Sequence, residues 1–236
     1  MLYWVVKGVL TPVLHVSFRI KVEGRQHVPK QGPAILAANH RSFLDSIFLP
    51  LVVRRRVTFV AKAEYFDDPK TAWFFRGVGQ IPIRREGGEA SERALETAMG
   101  VLQQGNVFGI YPEGTRTRDG FLHRGHTGVA RLALRSGAPI VPVGMIGTDE
   151  VQPVDSKMPK FMRTVTIHFG EPLETARHRG KQDDRLALRE LTDELMYEIC
   201  QLSGYEYVDT YMTKKAEDDM HAPPAQLVNL TDLKTA

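Results

Sequence analysis

The chain has 236 residues, of which 42% are hydrophobic and 25% are charged, and this balance is typical of a globular protein rather than a disordered one. The net charge of +3 conceals a basic amino-terminal part, since residues 1–56 contain nine lysines and arginines and two acidic residues. This excess indicates an anionic partner, either a phosphate ligand or an acidic membrane surface. Cations and aromatic residues do not alternate as in a nucleic-acid platform, and the single Cys200, taken as structural, excludes a disulfide framework.

Residues 1–19 are strongly apolar but are interrupted by Lys7, Pro12 and Arg19. These interruptions leave too short an apolar run for a regular membrane span. We expect no secretory signal, because no charged leader precedes the apolar run and no small-residue cleavage site follows it. The composition predicts an amphipathic helix that lies in the lipid headgroup layer, and the alternative is a helix packed on the domain's own surface.

The next pattern is a buried strand followed by a helix. The apolar run at 34–38 predicts the strand, and residues 42–52 predict the helix. On one straight helix His40 and Asp45 would point about 140° apart. If His40 lies on the turn and Asp45 in the first helical turn, the carboxylate can hold one imidazole nitrogen while the other faces a substrate. The alternative is that Asp45 only caps the helix, since Ser42-x-x-Asp45 resembles a capping box.

The rest of the chain alternates between predicted strands and helices. The strands are expected at 19–24, 57–62, 77–85, 107–110, 140–146 and 164–169, and the helices at 71–75, 89–104, 128–135 and 184–202. Pro142 indicates an edge strand or a bulge. The alternation predicts one layered α/β domain over residues 20–212, with a mixed sheet flanked by helices. Residues 213–236 have little to bury and are predicted to form a flexible tail.

Chemically useful side chains follow several of these strands. His40, Arg85 and the segment 113–116 each come after a strand, and ligands gather beyond the carboxyl ends of strands in such sheets, so we expect one shared cleft. A histidine held by a carboxylate can take a proton from a hydroxyl group, and arginines can grip a phosphate. Backbone amides of the turn at Gly114 can add donors for an anion. The sequence has no G-x-S-x-G elbow, which favours direct attack by a hydroxyl without a covalent intermediate.

Four stretches resemble, in order, the four sequence blocks of the glycerolipid acyltransferases. They are Asn39-His40-Arg41-Ser42 with Asp45, Gly79–Arg85, Tyr111–Thr117 and Val141–Val143. Each stretch alone is an ordinary pattern, but four in order at sensible spacing are specific. Over residues 20–170 the chain resembles the bacterial 1-acylglycerol-3-phosphate acyltransferases, the PlsC-like group, which implies a glycerol-phosphate acyltransferase-like fold.

The resemblance implies that His40 is the general base and Asp45 its orienting partner. An acceptor hydroxyl would attack the thioester of acyl-CoA or of acyl-carrier protein, with no further cofactor and no metal. The residues that the resemblance assigns to acceptor binding are Arg85, Glu113, Gly114, Thr115 and Arg116. Among them, Arg85 and Arg116 would hold the phosphate, and Glu113 would orient an arginine or the acceptor's glycerol.

The implied partners are lysophosphatidate in the membrane and the acyl donor, and the implied place is the cytoplasmic face of the cell membrane, as a peripheral or monotopic protein. Two features depart from the family pattern. Tyr111 stands where Phe is common, a minor change, and Leu122–His126 replaces a Lys-containing Phe-x-x-Gly stretch, which indicates a different acceptor headgroup. His123 and His126 alone are a poor set of metal ligands.

Three alternatives stay open at this point. The acceptor can be another lysophospholipid, glycerol phosphate or a glycolipid. The chain can be a membrane-surface binding protein without turnover, whose expected sign would be the loss of His40 or Asp45. It can also be a metal-dependent hydrolase in which these two side chains are ligands.

Overall fold

The computed structural model describes residues 2–83, 89–156 and 158–212. Its helices are α1 (Leu2–Ser17), α2 (Asp45–Val52), α3 (Glu64–Asp67), α4 (Pro69–Gly77), α5 (Glu89–Gln103), α6 (Gly128–Ser136), α7 (Thr148–Val151) and α8 (Arg185–Ser203). Its strands are β1 (Arg19–Glu23), β2 (Ala34–Ala38), β3 (Val57–Thr58), β4 (Val60–Lys62), β5 (Ile81–Ile83), β6 (Val107–Ile110), β7 (Leu122–His123), β8 (Ile140–Ile146), β9 (Thr164–Phe169) and β10 (Tyr207–Val208).

Six of these strands form one mixed sheet in the order β1-β9-β8-β2-β6-β3. Neighbouring strands are parallel except at β8 and β9, which run antiparallel. The strand β2 lies between β8 and β6, and all of its side chains are buried, as expected of an unbroken apolar run that is covered on both faces. The predicted layered α/β architecture is confirmed.

Side chains of β2 alternate between the two faces of the sheet, so two cores form. Leu36 packs with Phe48 and Leu49 of α2 in one core. On the other face, Ile35 packs in a core with Leu132 of α6 and with α5 and α8. The end of β2 is therefore fixed from both sides, and the turn that follows it starts from a rigid position.

Four predicted boundaries need correction. The strand predicted at 77–85 starts later, because Gly77 ends α4 and β5 begins at Ile81. The helix α2 begins at Asp45 rather than at Ser42, because the Asp45 side chain accepts hydrogen bonds that fold residues 41–44 into a turn. The strand predicted at 57–62 is divided at Phe59, whose N–H donates to the Gln80 side chain, and the two halves join different sheets. The helix predicted at 71–75 extends over Pro69–Gly77, with Asp68 as its amino-terminal cap.

The edge strand that Pro142 indicated as one alternative is not found, because β8 lies inside the sheet between β2 and β9. Pairing with β9 starts at Val143, one residue after the proline. The Pro142 carbonyl accepts from the Gly170 N–H, so its nitrogen faces the same side, beyond the paired part of β9. The proline therefore lies at the end of the β8–β9 ladder and not in its interior.

The amino-terminal helix α1 packs along the domain with one side only. Tyr3 is buried, its hydroxyl accepts from the Val57 N–H, and Lys7 donates to the Pro50 and Val53 carbonyls at the end of α2. The other side exposes Trp4, Val5, Val9, Val13 and Val16. Within the described ranges, no helix is long and apolar enough to cross a bilayer. The tail predicted at 213–236 lies outside the described residues.

Candidate active site

The turn after β2 brings His40 and Asp45 together. The Asp45 carboxylate is fully buried, and its Oδ2 accepts from His40 Nδ1 at 2.8 Å. The same oxygen accepts the backbone N–H groups of Arg41 and Ser42, each at 2.8 Å. The two interpretations of Asp45 hold at once, since it organises the turn at the helix start and also orients the imidazole. Because Nδ1 is occupied, Nε2 is the nitrogen that can meet a substrate hydroxyl.

Asn39 fixes the position of this turn against the sheet. Its side-chain amide donates to the Met145 carbonyl at 2.9 Å, and its side-chain oxygen accepts the Met145 N–H at 2.7 Å. The side chain thereby continues the pairing between β2 and β8 after the backbone of β2 has turned away. The polar group is buried with its hydrogen bonds satisfied, which makes the turn stiff.

Tyr111 at the end of β6 sets the plane of the His40 ring. The two rings are nearly parallel, with centroids 3.8 Å apart, and Phe59 stacks in turn on Tyr111 at 5.4 Å. The Tyr111 hydroxyl shares a hydrogen bond of 2.9 Å with Ser46. Burial raises the pKa of Tyr111 well above its usual value, and the Asp45 charge adds to this, so the phenol stays neutral. The sequence prediction treated Tyr111 as a minor change and missed this ring contact. The signal for it is that β2 and β6 are parallel neighbours, so the residues that follow the two strands lie close together.

Glu113 joins two loops beneath the site. It is buried, and its two carboxylate oxygens accept the backbone N–H groups of His40 at 3.1 Å and of His123 at 2.9 Å. Burial raises the pKa of Glu113 to about 7, although both backbone hydrogen bonds oppose the shift. The expectation was that Glu113 orients an arginine or the acceptor. In the structure its oxygens hold the backbone on which His40 sits, and its role toward the acceptor stays a prediction.

The turn from Gly114 to Arg116 forms the open side of the site. Gly114 has a φ of 76° and donates its N–H to the Tyr111 carbonyl, a backbone conformation that glycine adopts without strain. Thr115 and Arg116 are half-exposed. The Thr117 N–H donates to the His40 carbonyl at 2.9 Å, which connects this segment to the turn after β2. Within the part of the chain that is described, no hydrogen bond or ion pair engages the Arg116 guanidinium.

Arg41 connects the turn after β2 to the segment after β8. The sequence alone assigned no role to this residue. The buried guanidinium donates to Asp149 at 2.9 and 2.6 Å and lies 4.1 Å from the Tyr205 ring. Ser42 adds a hydrogen bond to the Gln152 carbonyl at 2.9 Å. The partners are far apart in sequence, so only the fold reveals the link. Asp149 balances the charge of Arg41 through Nε and Nη2, while Nη1 is buried without a hydrogen-bond partner among the described residues.

The remaining candidates are placed as follows. His123 binds Asp119 at 2.8 Å through Nε2 and the Thr210 carbonyl through Nδ1, and the His126 ring stacks on Tyr211. Among the described residues, no group of three or more side chains of the metal-binding types comes together. Arg85 lies outside the described residues, so the structure joins His40, Asp45 and the segment 113–116 but does not test Arg85.

Comparison with known families gives the class of protein. A family model described as Acyltransferase matches residues 19–146, which include the His40–Asp45 pair, Tyr111, the segment 113–116 and all of β8. The chain belongs to this acyltransferase family.

Individual relatives narrow the resemblance. The chain is 30% identical over 145 residues to a chloroplastic 1-acyl-sn-glycerol-3-phosphate acyltransferase of Arabidopsis thaliana, covering 61% of this chain and 40% of the relative. It is 25% identical over 194 residues to the 1-acyl-sn-glycerol-3-phosphate acyltransferase of Bacillus subtilis, covering 80% of this chain and 92% of that protein. The chain spans about two fifths to half the length of the plant and algal relatives that it matches.

A solved structure shows the same fold. The crystal structure of the 1-acyl-sn-glycerophosphate acyltransferase PlsC from Thermotoga maritima matches with a TM-score of 0.65 and 25% sequence identity, covering 84% of this chain and 78% of that one. Together with the family match, this confirms the resemblance to the PlsC-like group that the four sequence blocks indicated.

Proposed function

We propose that the chain transfers a fatty acyl group from acyl-CoA or acyl-carrier protein to the free hydroxyl of 1-acylglycerol-3-phosphate, which forms phosphatidic acid for phospholipid synthesis. The observation that carries this proposal is the 2.8 Å hydrogen bond between His40 and the buried Asp45, in a chain of the acyltransferase family. The names of the relatives support the acceptor, since they are 1-acyl-sn-glycerol-3-phosphate acyltransferases.

The chemistry follows from the free nitrogen of His40. Nε2 takes the proton of the acceptor hydroxyl while the oxygen attacks the thioester carbonyl carbon. The carbon–sulfur bond then breaks, and the leaving thiolate receives the proton from the imidazolium, so an ester and a free thiol remain. The Asp45 carboxylate stabilises the transient positive charge on His40. Tyr111 and Glu113 keep the ring and its backbone in place, which limits the reorganisation needed in each turnover.

The half-exposed Arg116 suits the phosphate of the acceptor, because a guanidinium binds phosphate oxygens with two parallel hydrogen bonds. Backbone amides of the turn at Gly114 and Thr115 add donors beside it. We assign Arg85 as the second phosphate ligand on the family pattern alone. Both the acceptor and the product are membrane lipids, so we place the chain at the cytoplasmic face of the cell membrane, with α1 in the headgroup layer.

The test is thiol release from palmitoyl-CoA by the full chain, with and without lysophosphatidate, followed by mass spectrometry of the lipid product. We expect release that depends on the acceptor and a product with the mass of phosphatidic acid. Parallel reactions with lysophosphatidylglycerol, glycerol 3-phosphate and a glycolipid test the altered stretch at Leu122–His126. Thiol release without any acceptor would identify a thioesterase and contradict the proposal. Faster transfer to another acceptor would show that this acceptor, and not lysophosphatidate, is the preferred substrate.

A further inference from the structure

The connection between β8 and β9 exposes an unusual group of apolar side chains. Met158 is 70% exposed, and Phe161 and Met162 are each 60% exposed. Large apolar side chains gain free energy when they leave water, so three of them exposed within five residues are unfavourable. A contiguous exposed apolar group of this kind marks a surface that meets a partner.

The backbone holds these side chains outward in a defined conformation. Met162 has a φ of 62°, and among the described residues no other non-glycine residue has a positive φ. This conformation is unfavourable for a residue other than glycine. The Met162 N–H donates to the Ser17 carbonyl at 2.8 Å, and the Lys160 N–H donates to the Val151 carbonyl at 2.7 Å. The loop is therefore anchored at Lys160 and at Met162, and the strained residue is the anchored Met162.

The exposed loop continues the outer face of α1. The Phe161 ring stacks on Phe18, the first residue after α1, at a centroid distance of 5.8 Å. Val9, Val13 and Val16 are exposed and lie on one side of α1, since residues three and four apart share a helix face. We call the combined surface the apolar platform, and it consists of Val9, Val13, Val16, Met158, Phe161 and Met162.

The charges beside the apolar platform are mainly positive, and the nearest acidic side chain of the loop, Asp155, is paired with Arg118 at 3.1 Å. Lys160, Arg163 and Arg19 are exposed beside it, and neither α1 nor the segment from 156 to 170 contains an acidic residue. Apolar tips that enter the acyl-chain boundary, surrounded by cations at the level of the phosphates, fit a bilayer that contains anionic lipids. This charge pattern makes an anionic membrane surface the occupant that the apolar platform fits.

The same loop is connected to the active site. The chain leaves β8 through Asp149, which pairs with Arg41, and through Gln152, whose carbonyl accepts from Ser42. The end of α1 meets this loop where β1 and β9 begin, at the edge of the sheet where β2 ends. A lipid acceptor that leaves a bilayer under the apolar platform would have a short path to His40.

We infer that the loop 158–163 is a second membrane-docking element, which acts with α1 to seat the domain on anionic bilayers. The inference concerns where the protein sits and is independent of which acceptor the active site uses.

The test is co-sedimentation of the full chain with vesicles of phosphatidylcholine alone and with a mixture containing phosphatidylglycerol. Met158→Asp is compared with Leu186→Asp, which places the same charge at an 82% exposed apolar position on α8, beyond the opposite core. We expect Met158→Asp to weaken binding to the anionic vesicles at least tenfold and Leu186→Asp less than twofold. Equal effects of the two variants would overturn the inference.

A second variant separates docking from folding. Met162→Gly removes the apolar tip and relieves the positive φ, so we expect an equal or higher Tm together with weaker vesicle binding. Lys160→Glu with Arg163→Glu should reduce binding to the anionic vesicles only. Unchanged vesicle binding by Met162→Gly would contradict the proposal.

A dimer that Met158→Asp dissociates without vesicles would instead identify the apolar platform as an interface between copies of the chain. Absence of acyl transfer would contradict the proposed function. It would not affect the vesicle-binding test, because that test does not depend on turnover.

Discussion

At the scale of single residues, the site depends on how tightly one imidazole is held. Asp45 fixes Nδ1, Tyr111 fixes the plane of the ring, and Glu113 fixes the backbone N–H of His40. The sequence predicted the first contact because the two residues lie close together in the chain. The other two come from a separate strand and turn, more than seventy positions away for Glu113, and the pattern of residues alone does not reveal them.

Tyr111→Ala should lower kcat up to about tenfold with little change in KM, because an aromatic pair contributes about 0.5–1.5 kcal/mol beyond burial. Tyr111→Phe keeps the ring and loses only the hydrogen bond to Ser46, so it should stay within about threefold of wild type. Steady-state kinetics of thiol release measure both variants. A merely structural role would be shown if Tyr111→Ala lowered Tm while kcat, measured on the folded fraction, stayed at the wild-type value.

Glu113 should make stability depend on pH. Burial raises the pKa of Glu113 from 4.5 to about 7 in the folded protein, so the folded state favours the protonated carboxyl. Its contribution to the free energy of unfolding is therefore fully present below about pH 4.5 and is lost as the pH rises through 7. This loss is on the order of 3 kcal/mol. Urea unfolding at pH 5 and pH 8 should show a larger decrease for wild type than for Glu113→Gln. Equal decreases in the two proteins would refute this account of Glu113.

Arg116→Ala should raise the acceptor KM about 10- to 100-fold and leave kcat nearly unchanged, since charged hydrogen bonds contribute about 1.5–3 kcal/mol. Arg179→Ala is the control, because that arginine is exposed and lies outside the site. Kinetics at varied acceptor concentration separate the two parameters. A drop in kcat alone would mean that Arg116 acts in the transition state, and an unchanged KM and kcat would remove it from the acceptor site.

At the scale of elements, strands and helices with a strong pattern were predicted within a few residues. The strands β2, β6, β8 and β9 are short apolar or alternating runs. The helical spacing of apolar residues in α8 predicts a stripe at Leu188, Leu191, Leu195, Ile199 and Leu202, and all of these are buried except the half-buried Leu202. The start of α2 and the division between β3 and β4 were missed. Each of them depends on a side chain that binds a backbone group elsewhere, Asp45 in one case and Gln80 in the other.

The start of α8 offers a direct test at this scale. The Asp184 carboxylate accepts the N–H groups of Leu186 and Ala187, as an amino-terminal cap does. Asp184→Ala should lower the free energy of unfolding by about 1 kcal/mol in urea titrations. The neighbouring Asp183→Ala removes only an exposed ion pair with Arg135 and should cost less than about 0.5 kcal/mol. A cap that contributes nothing would leave the two variants equally stable.

At the scale of the whole molecule, the sheet places the site and the apolar platform at one edge. The turn after β2, the end of β6 and the segment after β8 meet around His40, and the loop that carries Met158 and Phe161 begins from the same place. The layered fold was predictable because strands and helices alternate in the sequence. The loop surface was not, since only the folded chain shows which apolar side chains of an irregular segment remain in water.

The central claim is that His40, oriented by Asp45, is the base for acyl transfer. The most direct test compares wild type, His40→Ala and His168→Ala in acceptor-dependent thiol release. The His168 variant is the control, because that ring binds the Leu202 carbonyl and not the pair. We predict that His40→Ala lowers kcat about 10²–10⁴-fold with Tm retained, while His168→Ala stays within a few-fold of wild type. Transfer by a folded His40→Ala at more than a tenth of the wild-type rate would contradict the account.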